Sequence, residues 1–166
     1  MKSGNKSLIR KALPFIGAAA IAGTDLYIKK KMDEELPEEG TIDAQPPKKG
    51  ILLFRRHHNK GAIMNIGSKN PESVKLASTV ACGGVFGALF GACKHGSFWE
   101  KIGYMLCLGG AMSNTYDRVK KGYVMDYVSL DVKPKRVSKV VFNLSDICVF
   151  IGSVIVLING IFSKRN

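Results

Sequence analysis

The chain has 166 residues, of which 46% are hydrophobic and 23% charged, and it carries a formal net charge of +12. This length predicts a single domain over residues 1–166, and the hydrophobic content argues against an intrinsically disordered chain. The mean hydropathy is near zero, but it averages two kinds of sequence, because four long stretches hold no charged residue. They are Ala12–Thr24, Leu76–Cys93, Ile102–Tyr116 and Ile147–Phe162. Soluble helices mix charged and apolar residues within each turn, so these blocks indicate a membrane protein.

The basic residues are spread over the tails and over the loops between the apolar blocks. A nucleic-acid-binding face needs Lys and Arg gathered on one stripe, so nucleic acid is excluded as the expected partner. Basic loops beside membrane spans contact anionic headgroups, so membrane lipids are expected instead. The four cysteines form no CxxC pair and have no His at ligand spacing, so we expect neither a metal site nor a disulfide framework.

The first apolar run follows four basic residues and begins at Ala12. One interpretation is a secretory signal peptide, with a small-x-small cleavage site at Ala20–Ala22. The other is a retained transmembrane helix over about residues 10–28. Composition leaves both open.

Three further spans are predicted at about residues 74–93, 98–116 and 142–162. The first of these carries Gly83, Gly87 and Gly91 at four-residue spacing, which predicts close helix contact. The polar segments between spans contain a strand-like run at Ile51–Phe54 and an apolar-leaning insert at Tyr123–Leu130. The predicted fold is an all-α membrane protein with four transmembrane helices and a small extracytoplasmic β-containing loop region.

An even number of spans places both termini on one side, and the basic tails predict that this side is the cytoplasm. With that orientation the notable polar residues of the spans fall at their outer ends. They are Asp25, Asn114, Asp117, Arg118, Asn143 and Asp146, joined by Asn59 and Asp126 in the outer loops. Acids at membrane depth are costly, so their gathering on one face predicts a functional site.

The spacing of these residues supports one shared pocket. Asn114, Asp117 and Arg118 stand at i, i+3 and i+4, and Asn143 and Asp146 at i and i+3, so each set occupies one helix face. Two facing aspartates suit peptide hydrolysis by water, because close carboxylates share one proton. The ionised member takes a proton from water, and the protonated member polarises the scissile carbonyl and helps to protonate the leaving amine.

Each acid also has a plainer structural interpretation. These are an ion pair of Asp117 with Arg118, a helix-end salt bridge of Asp25 with Lys29, an N-cap role for Asp146 and an interfacial loop position for Asp126. The ion pair is the favoured interpretation of Asp117. The joint occurrence of the acids with matched asparagines favours a functional site for the set as a whole.

Four sequence motifs resemble those of one known family. Gly109–Val128, GGAMSNTYDRVKKGYVMDYV, resembles the signature GGAxxNxxDRxxxGxVxDF of lipoprotein signal peptidase, or signal peptidase II. The second signature of that family, FNxAD, is similar to FNLSD at Phe142–Asp146. Asn59–Ala62 resembles the start of NxGAAF, and Asp25–Lys29 resembles DQxxK. The four motifs occur in the order of the family and across its four-span layout.

The chain departs from these motifs at a few positions. Tyr127 stands where Phe is usual, Ser145 where Ala is usual and Leu26 where Gln is usual, and Ile63-Met64 replace Ala-Phe. The Lys30–Gly50 segment is also unusually charged. None of these departures removes an acid of the signatures, so they bear on pocket shape and substrate preference.

The resemblance implies an intramembrane aspartyl endopeptidase, multi-pass in the bacterial inner (plasma) membrane, with its active site towards the outer face. Its substrate would be a diacylglyceryl-modified prolipoprotein, cut just before the lipidated cysteine, and no metal or organic cofactor would be used. The implied catalytic pair is Asp126 and Asp146. The implied pocket residues are Asn59, Asn114, Arg118 and Asn143, and the implied supporting residues are Asp25, Lys29 and Asp117.

The match to DQxxK also favours a first helix that stays attached, and we expect a monomer. A different class of protein competes with the peptidase. In a non-enzymatic small multispan protein, such as a transporter subunit or scaffold, the same acids would belong to an ion pathway or to helix packing.

Overall fold

The computed structural model describes residues 2–37, 48–49, 51–62, 67–132 and 140–162. In these ranges the chain forms four helices, α1 (Lys2–Glu35), α2 (Pro71–His95), α3 (Phe98–Lys121) and α4 (Leu144–Phe162). It also forms four short strands, β1 (Lys48–Lys49), β2 (Leu52–Asn59), β3 (Val124–Leu130) and β4 (Val141–Phe142). A mostly helical chain with a small β-containing region is therefore confirmed.

Two helices run well beyond the spans predicted for them. α1 has 34 residues, and its last turns carry exposed i,i+4 pairs, Lys30 with Glu34 and Lys31 with Glu35. Pairs at this spacing support a helix outside an apolar environment. α3 continues to Lys121 and ends at Gly122, whose φ of 80° is the left-handed conformation that glycine adopts at helix ends.

Two of the helices, α2 and α4, are long and apolar enough to cross a membrane, with mean hydropathies of 1.7 and 2.1 over their most apolar windows. Of the described helices, α1 and α3 do not meet this criterion of length and hydropathy, because polar and charged residues of the site lie in their C-terminal halves. The count of four spans stays a prediction.

α3 is the central helix and packs against α1, α2 and α4. Its closest approach is to α4, where a Cβ on Gly103 would lie 2.9 Å from the carbonyl oxygen of Gly152, and one on Gly152 would lie 2.5 Å from that of Gly103. The prediction that the α2 glycines make the close helix contact is wrong. Cβ atoms on Gly83, Gly87 and Gly91 would meet open space, because these residues lie on the exposed face of α2.

The strands form one antiparallel sheet in the order β1-β2-β3-β4. β2 is longer than the predicted run at Ile51–Phe54, because pairing with β3 continues to Asn59 opposite Val124. Asp126, expected in a loop, lies in β3 opposite His57. β4 is followed after one residue by α4, so the sheet delivers the chain directly to the start of that helix.

Candidate active site

The polar residues predicted from the motifs lie together where the sheet meets the helices. β3 supplies Asp126, the start of α4 supplies Asp146, and the C-terminal halves of α1 and α3 supply the residues packed beneath them. Every predicted site residue belongs to one connected network of hydrogen bonds and ion pairs, described below. Folding thus brings together positions that are up to 121 residues apart in sequence, from Asp25 to Asp146.

Asp126 is held by two asparagine amides. Asn59 Nδ2 donates to its Oδ2 at 3.0 Å, and Asn143 Nδ2 donates to its Oδ1 at 2.7 Å. The side chain is only 2% exposed. Burial, and next the negative charge of Asp146, raise the pKa of Asp126 to about 7. The carboxyl group of Asp126 can therefore keep a proton near neutral pH.

Asp146 is held by the first turn of α4 and by α3. Asn114 Nδ2 donates to its Oδ1 at 2.9 Å, and the backbone N–H of Asn143 donates to its Oδ2 at 3.1 Å. In return, the backbone N–H of Asp146 donates to Asn143 Oδ1 at 2.9 Å. This reciprocal arrangement is a capping box, and Asn143 is therefore the N-cap of α4. The interpretation of Asp146 as the N-cap is wrong, because Asp146 lies three residues after it.

Two amides connect the acids. Asn143 Nδ2 donates to Asp126 and lies 3.3 Å from Asn114 Oδ1, and Asn114 in turn donates to Asp146. Asn143 thereby contacts both acids, Asp126 with its side chain and Asp146 with its backbone. The two carboxyl groups are fixed relative to each other by neutral donors.

A second cluster lies beneath the pair, around the fully buried ammonium group of Lys29. Its Nζ lies 2.9 Å from Asp25 Oδ2 and 3.1 Å from Asp117 Oδ2. It also donates to Ser113 Oγ at 3.0 Å and to Asn114 Oδ1 at 2.7 Å. The bond to the Asn114 oxygen directs the NH2 group of that amide towards Asp146.

The structure corrects two details of the predicted ion pairs. Asp25 and Lys29 do pair, but they are buried six residues before the end of α1 and do not form a helix-end bridge. Asp117 pairs with Lys29 and with Lys121, at 3.1 and 3.0 Å, and not with Arg118. Neighbouring residues of a helix point in different directions, whereas Lys121 at i+4 lies on the same face as Asp117.

Arg118 reaches the loop after β2. Its Nη2 donates to the carbonyl oxygen of Gly61 at 2.9 Å, and its Nη1 lies 3.4 Å from that of Asn114. Its positive charge acts on Asp126 and Asp146, while its Nε is buried with no hydrogen-bond partner among the described residues. Asn59 and Arg118 thus fix the Asn59–Gly61 turn beside Asp126.

Three hydroxyl groups of the site were missed by sequence reasoning. Ser113, Ser145 and Tyr127 donate to Asp25, at 2.6, 2.5 and 3.2 Å respectively. A signal was present for two of them, since Tyr127 and Ser145 place a hydroxyl where the resembled signatures have an apolar side chain. No group of three or more His, Cys, Asp or Glu suited to a metal ion occurs in the described ranges.

Comparison with known proteins points to one family. The family model of signal peptidase (SPase) II matches residues 17–162. The lipoprotein signal peptidase of Fusobacterium nucleatum is 27% identical over 144 residues, covering 85% of this chain and 81% of that protein. The one from Streptococcus pneumoniae is 26% identical, covering 90% and 92%, and the one from Nostoc punctiforme is 36% identical, covering 66% of each chain.

Solved structures share the fold. One bacterial membrane enzyme aligns with a TM-score of 0.71 at 18% identity and covers 93% of each chain. A second aligns with a TM-score of 0.70 at 17% identity, covering 93% of this chain and 95% of the other. The family model covers most of the chain, and the chain therefore belongs to the signal peptidase II family.

Proposed function

We propose that this protein is an aspartic endopeptidase that removes the signal peptide from diacylglyceryl-modified bacterial prolipoproteins, cutting just before the lipidated cysteine. Asp126 and Asp146 are its catalytic acids. One observation carries the proposal: two buried carboxyl groups from different elements share Asn143, and every hydrogen bond they accept from described residues comes from an amide. Membership of a peptidase family sets the non-enzymatic scaffold interpretation aside.

The two acids take different roles because their surroundings differ. Asp126, with its pKa raised to about 7, keeps a proton and donates a hydrogen bond to the oxygen of the scissile carbonyl. Asp146 lies in the first turn of α4, where a backbone N–H and the helix dipole stabilise a negative charge. It is the general base.

Hydrolysis then follows from proton transfers between these groups. Asp146 takes a proton from water as the water oxygen bonds to the carbonyl carbon, and Asp126 gives its proton to the carbonyl oxygen. The tetrahedral intermediate collapses as the C–N bond breaks. Asp146 returns its proton to the leaving amine, and Asp126 regains one from the hydroxyl of the intermediate, so both acids end as they began.

The amides and Arg118 hold the substrate and the acids. Asn59, Asn114, Arg118 and Asn143 line the substrate pocket, and Asp25, Lys29 and Asp117 support it from beneath. The Arg118 guanidinium has a buried Nε without a partner in the described part of the chain, which offers a donor to a substrate carbonyl. No metal or organic cofactor takes part.

The proposed placement in the membrane follows the position of the site. Residues 1–166 form one integral domain with four spans and cytoplasmic termini, and the site faces outwards in the bacterial plasma membrane. The support is that α2 and α4 are apolar and that the polar residues cluster at one end of the helices. A prolipoprotein can present its peptide there while its acyl chains stay in lipid. The protein works as a monomer.

A cleavage assay tests the proposal. Purified protein in detergent is given a diacylglyceryl-modified prolipoprotein, and the loss of the signal peptide is followed by gel shift. We expect cleavage by the wild type and a fall of about 10³-fold or more in Asp126→Asn and in Asp146→Asn. Asp131→Asn, an exposed acid just after β3, is the matched control and keeps activity. Persistent cleavage by both Asn variants would refute the aspartyl mechanism.

A further inference from the structure

Tyr127 and Ser145 stand next to the two acids in sequence, and both contact the same carboxylate. Tyr127 follows Asp126 in β3, and Ser145 precedes Asp146 in α4. The hydroxyl groups of Tyr127 and Ser145 donate to Asp25, at 3.2 and 2.5 Å. A single carboxylate of α1 is therefore connected to the backbone of each acid through its immediate neighbour.

These contacts are shielded from solvent. Asp25 and Ser145 have no exposed surface, and Tyr127 is 5% exposed. Burial, and next the charge of Asp25, raise the pKa of Tyr127, so its hydroxyl stays protonated and remains a donor. A buried hydrogen bond to a charged group is among the stronger ones, because water cannot replace it.

The Tyr127 hydroxyl has a second partner. It accepts the backbone N–H of Leu144, the first residue of α4, at 3.1 Å. An N–H in the first turn of a helix has no partner within the helix. Tyr127 thus joins the strand that carries Asp126 to the helix that carries Asp146, in addition to joining both to α1.

We propose that Tyr127 and Ser145 are positioning residues, whose hydroxyl groups anchor the strand of Asp126 and the helix of Asp146 to Asp25 and so hold the two acids at a fixed separation. This inference rests on the proposed function and adds how the geometry of the acids is maintained. Neither side chain reaches the reacting atoms. Because both tethers end on one carboxylate, releasing either one leaves the separation free to vary.

The test compares Tyr127→Phe, Ser145→Ala and the double variant with wild type in the prolipoprotein assay. Both changes remove a hydroxyl and keep the rest of the side chain. We expect kcat to fall about 10-fold in each single variant with KM unchanged, since small misplacements of reacting groups have large effects on rate. The double variant falls little further than either single one, because the tethers act as a unit.

Matched controls remove a hydroxyl from α4 and from the residue just before β3, without touching Asp25. Ser153→Ala changes a hydroxyl of α4 that lies 3.6 Å from Cys107 Sγ. Tyr123→Phe changes a ring that stacks on His58 beside β3. We expect both controls to keep wild-type kcat. Thermal unfolding in detergent shows whether each variant is folded.

A second readout does not depend on cleavage. Carbon-13 NMR of the Asp126 carboxyl group follows its titration in wild type and in the variants. Release of the tethers weakens the effect of Asp146 on Asp126, so we expect the Asp126 titration and the alkaline limb of the rate profile to move to lower pH. If the wild type does not cleave the prolipoprotein, the proposed function is refuted. The Asp126 titration in wild type and variants would still show whether the two hydroxyl groups hold the acids in place.

Three results would overturn the inference. The first is kcat within about twofold of wild type in both single variants and in the double variant, with an unchanged Asp126 titration. The second is an effect of the double variant equal to the product of the single effects, which would mean two independent local roles. The third is an equal loss of kcat in Ser153→Ala, which would mean that Ser145 acts no differently from another hydroxyl of α4.

Discussion

Two clusters of carboxyl groups lie next to each other at the same end of the helices, and they differ in what balances their charge. In the lower cluster, Asp25 and Asp117 pair with the ammonium group of Lys29. In the upper cluster, Asp126 and Asp146 accept hydrogen bonds from neutral amides. All four acids come from short motifs of one sequence, yet among the described residues a lysine lies within bonding distance of the lower pair alone.

The difference explains how one site combines rigidity with reactivity. A buried acid that pairs with a cation fixes its neighbours in place, and removal of either partner leaves an unpaired buried charge. Burial and a neighbouring acid raise the pKa of Asp126 to about 7, so this group can exchange a proton near neutral pH. We therefore propose that the lower cluster is structural and that the upper one carries out proton transfer.

The largest effect should come from removing the shared cation of the lower cluster. Lys29→Met leaves Asp25 and Asp117 buried without Lys29, so we expect unfolding to become easier by about 3–5 kcal/mol. Unfolding is measured in mixed detergent micelles titrated with SDS. Lys30→Met is the control, because its side chain is 74% exposed and pairs with exposed Glu34, and it should change stability by less than about 0.5 kcal/mol. Equal losses would show that burial of the lower cluster is unimportant.

The next effect concerns the amide shared by the upper pair. Asn143→Ala removes a donor to Asp126 and the N-cap of α4. We expect kcat/KM to fall about 10²–10³-fold, as when a preorganised donor is lost from an active site. Asn159→Ala, on the same helix but bonded to Ser97, should keep activity. A fall smaller than tenfold would mean that Asn143 does not organise the acids.

A smaller effect on cleavage is expected from pH, through the proton held by Asp126. The pKa of Asp126 is about 7, above its ordinary value of 3.8, so the proton it donates is lost as pH rises through about 7. We expect kcat/KM to decline about tenfold per pH unit above that point. A rate that stays level through this range would contradict the assignment of Asp126 as the acid.

The stability of the folded protein should also fall as pH rises, but over a different pH interval. Between pH 3.8 and about 7 the folded chain holds a proton on Asp126 that the unfolded chain releases. Stability contributed by this group therefore falls as pH rises across that interval and is level above it. In Asp146→Asn the neighbouring charge is absent, and the Asp126 titration should move to lower pH.

The smallest effect on cleavage is expected in the lower cluster. Asp117→Asn keeps the shape of the side chain, and Lys29 still pairs with Asp25, so kcat/KM should stay within about tenfold of wild type. Stability should drop by about 1–3 kcal/mol through loss of a charged hydrogen bond. Loss of cleavage as severe as in Asp126→Asn would remove the distinction between the two clusters.

Much of this fold was predictable because helices that cross a bilayer appear in a sequence as long runs of uncharged residues. The uncharged blocks predicted the helices, and all four predicted spans lie within or beside observed helices. The ends of the helices were less predictable, since α1 continues through paired charged residues after its apolar part. The predicted role of the α2 glycines was wrong, because four-residue spacing does not indicate which face of a helix packs against a neighbouring helix.

The candidate site residues were identified from motifs, but their bonding partners were not. Asp117 has charged neighbours at positions 118 and 121, and only the folded chain shows that Lys29 of α1 also reaches it. The strand position of Asp126 depends on pairing with β2, more than sixty residues earlier. Tyr127 and Ser145 were visible as departures from the signatures, with nothing local to indicate that both reach Asp25.

The sequence by itself determined the helical membrane character, the candidate acids and the family, because charge segregation and short motifs are local properties. Only the tertiary structure decided which acids are neutralised by Lys29 and which are held by amides. That division depends on distances between segments far apart in the chain. The electrostatic interactions that set a carboxyl group's role act over a few ångströms of space, whatever the separation along the sequence.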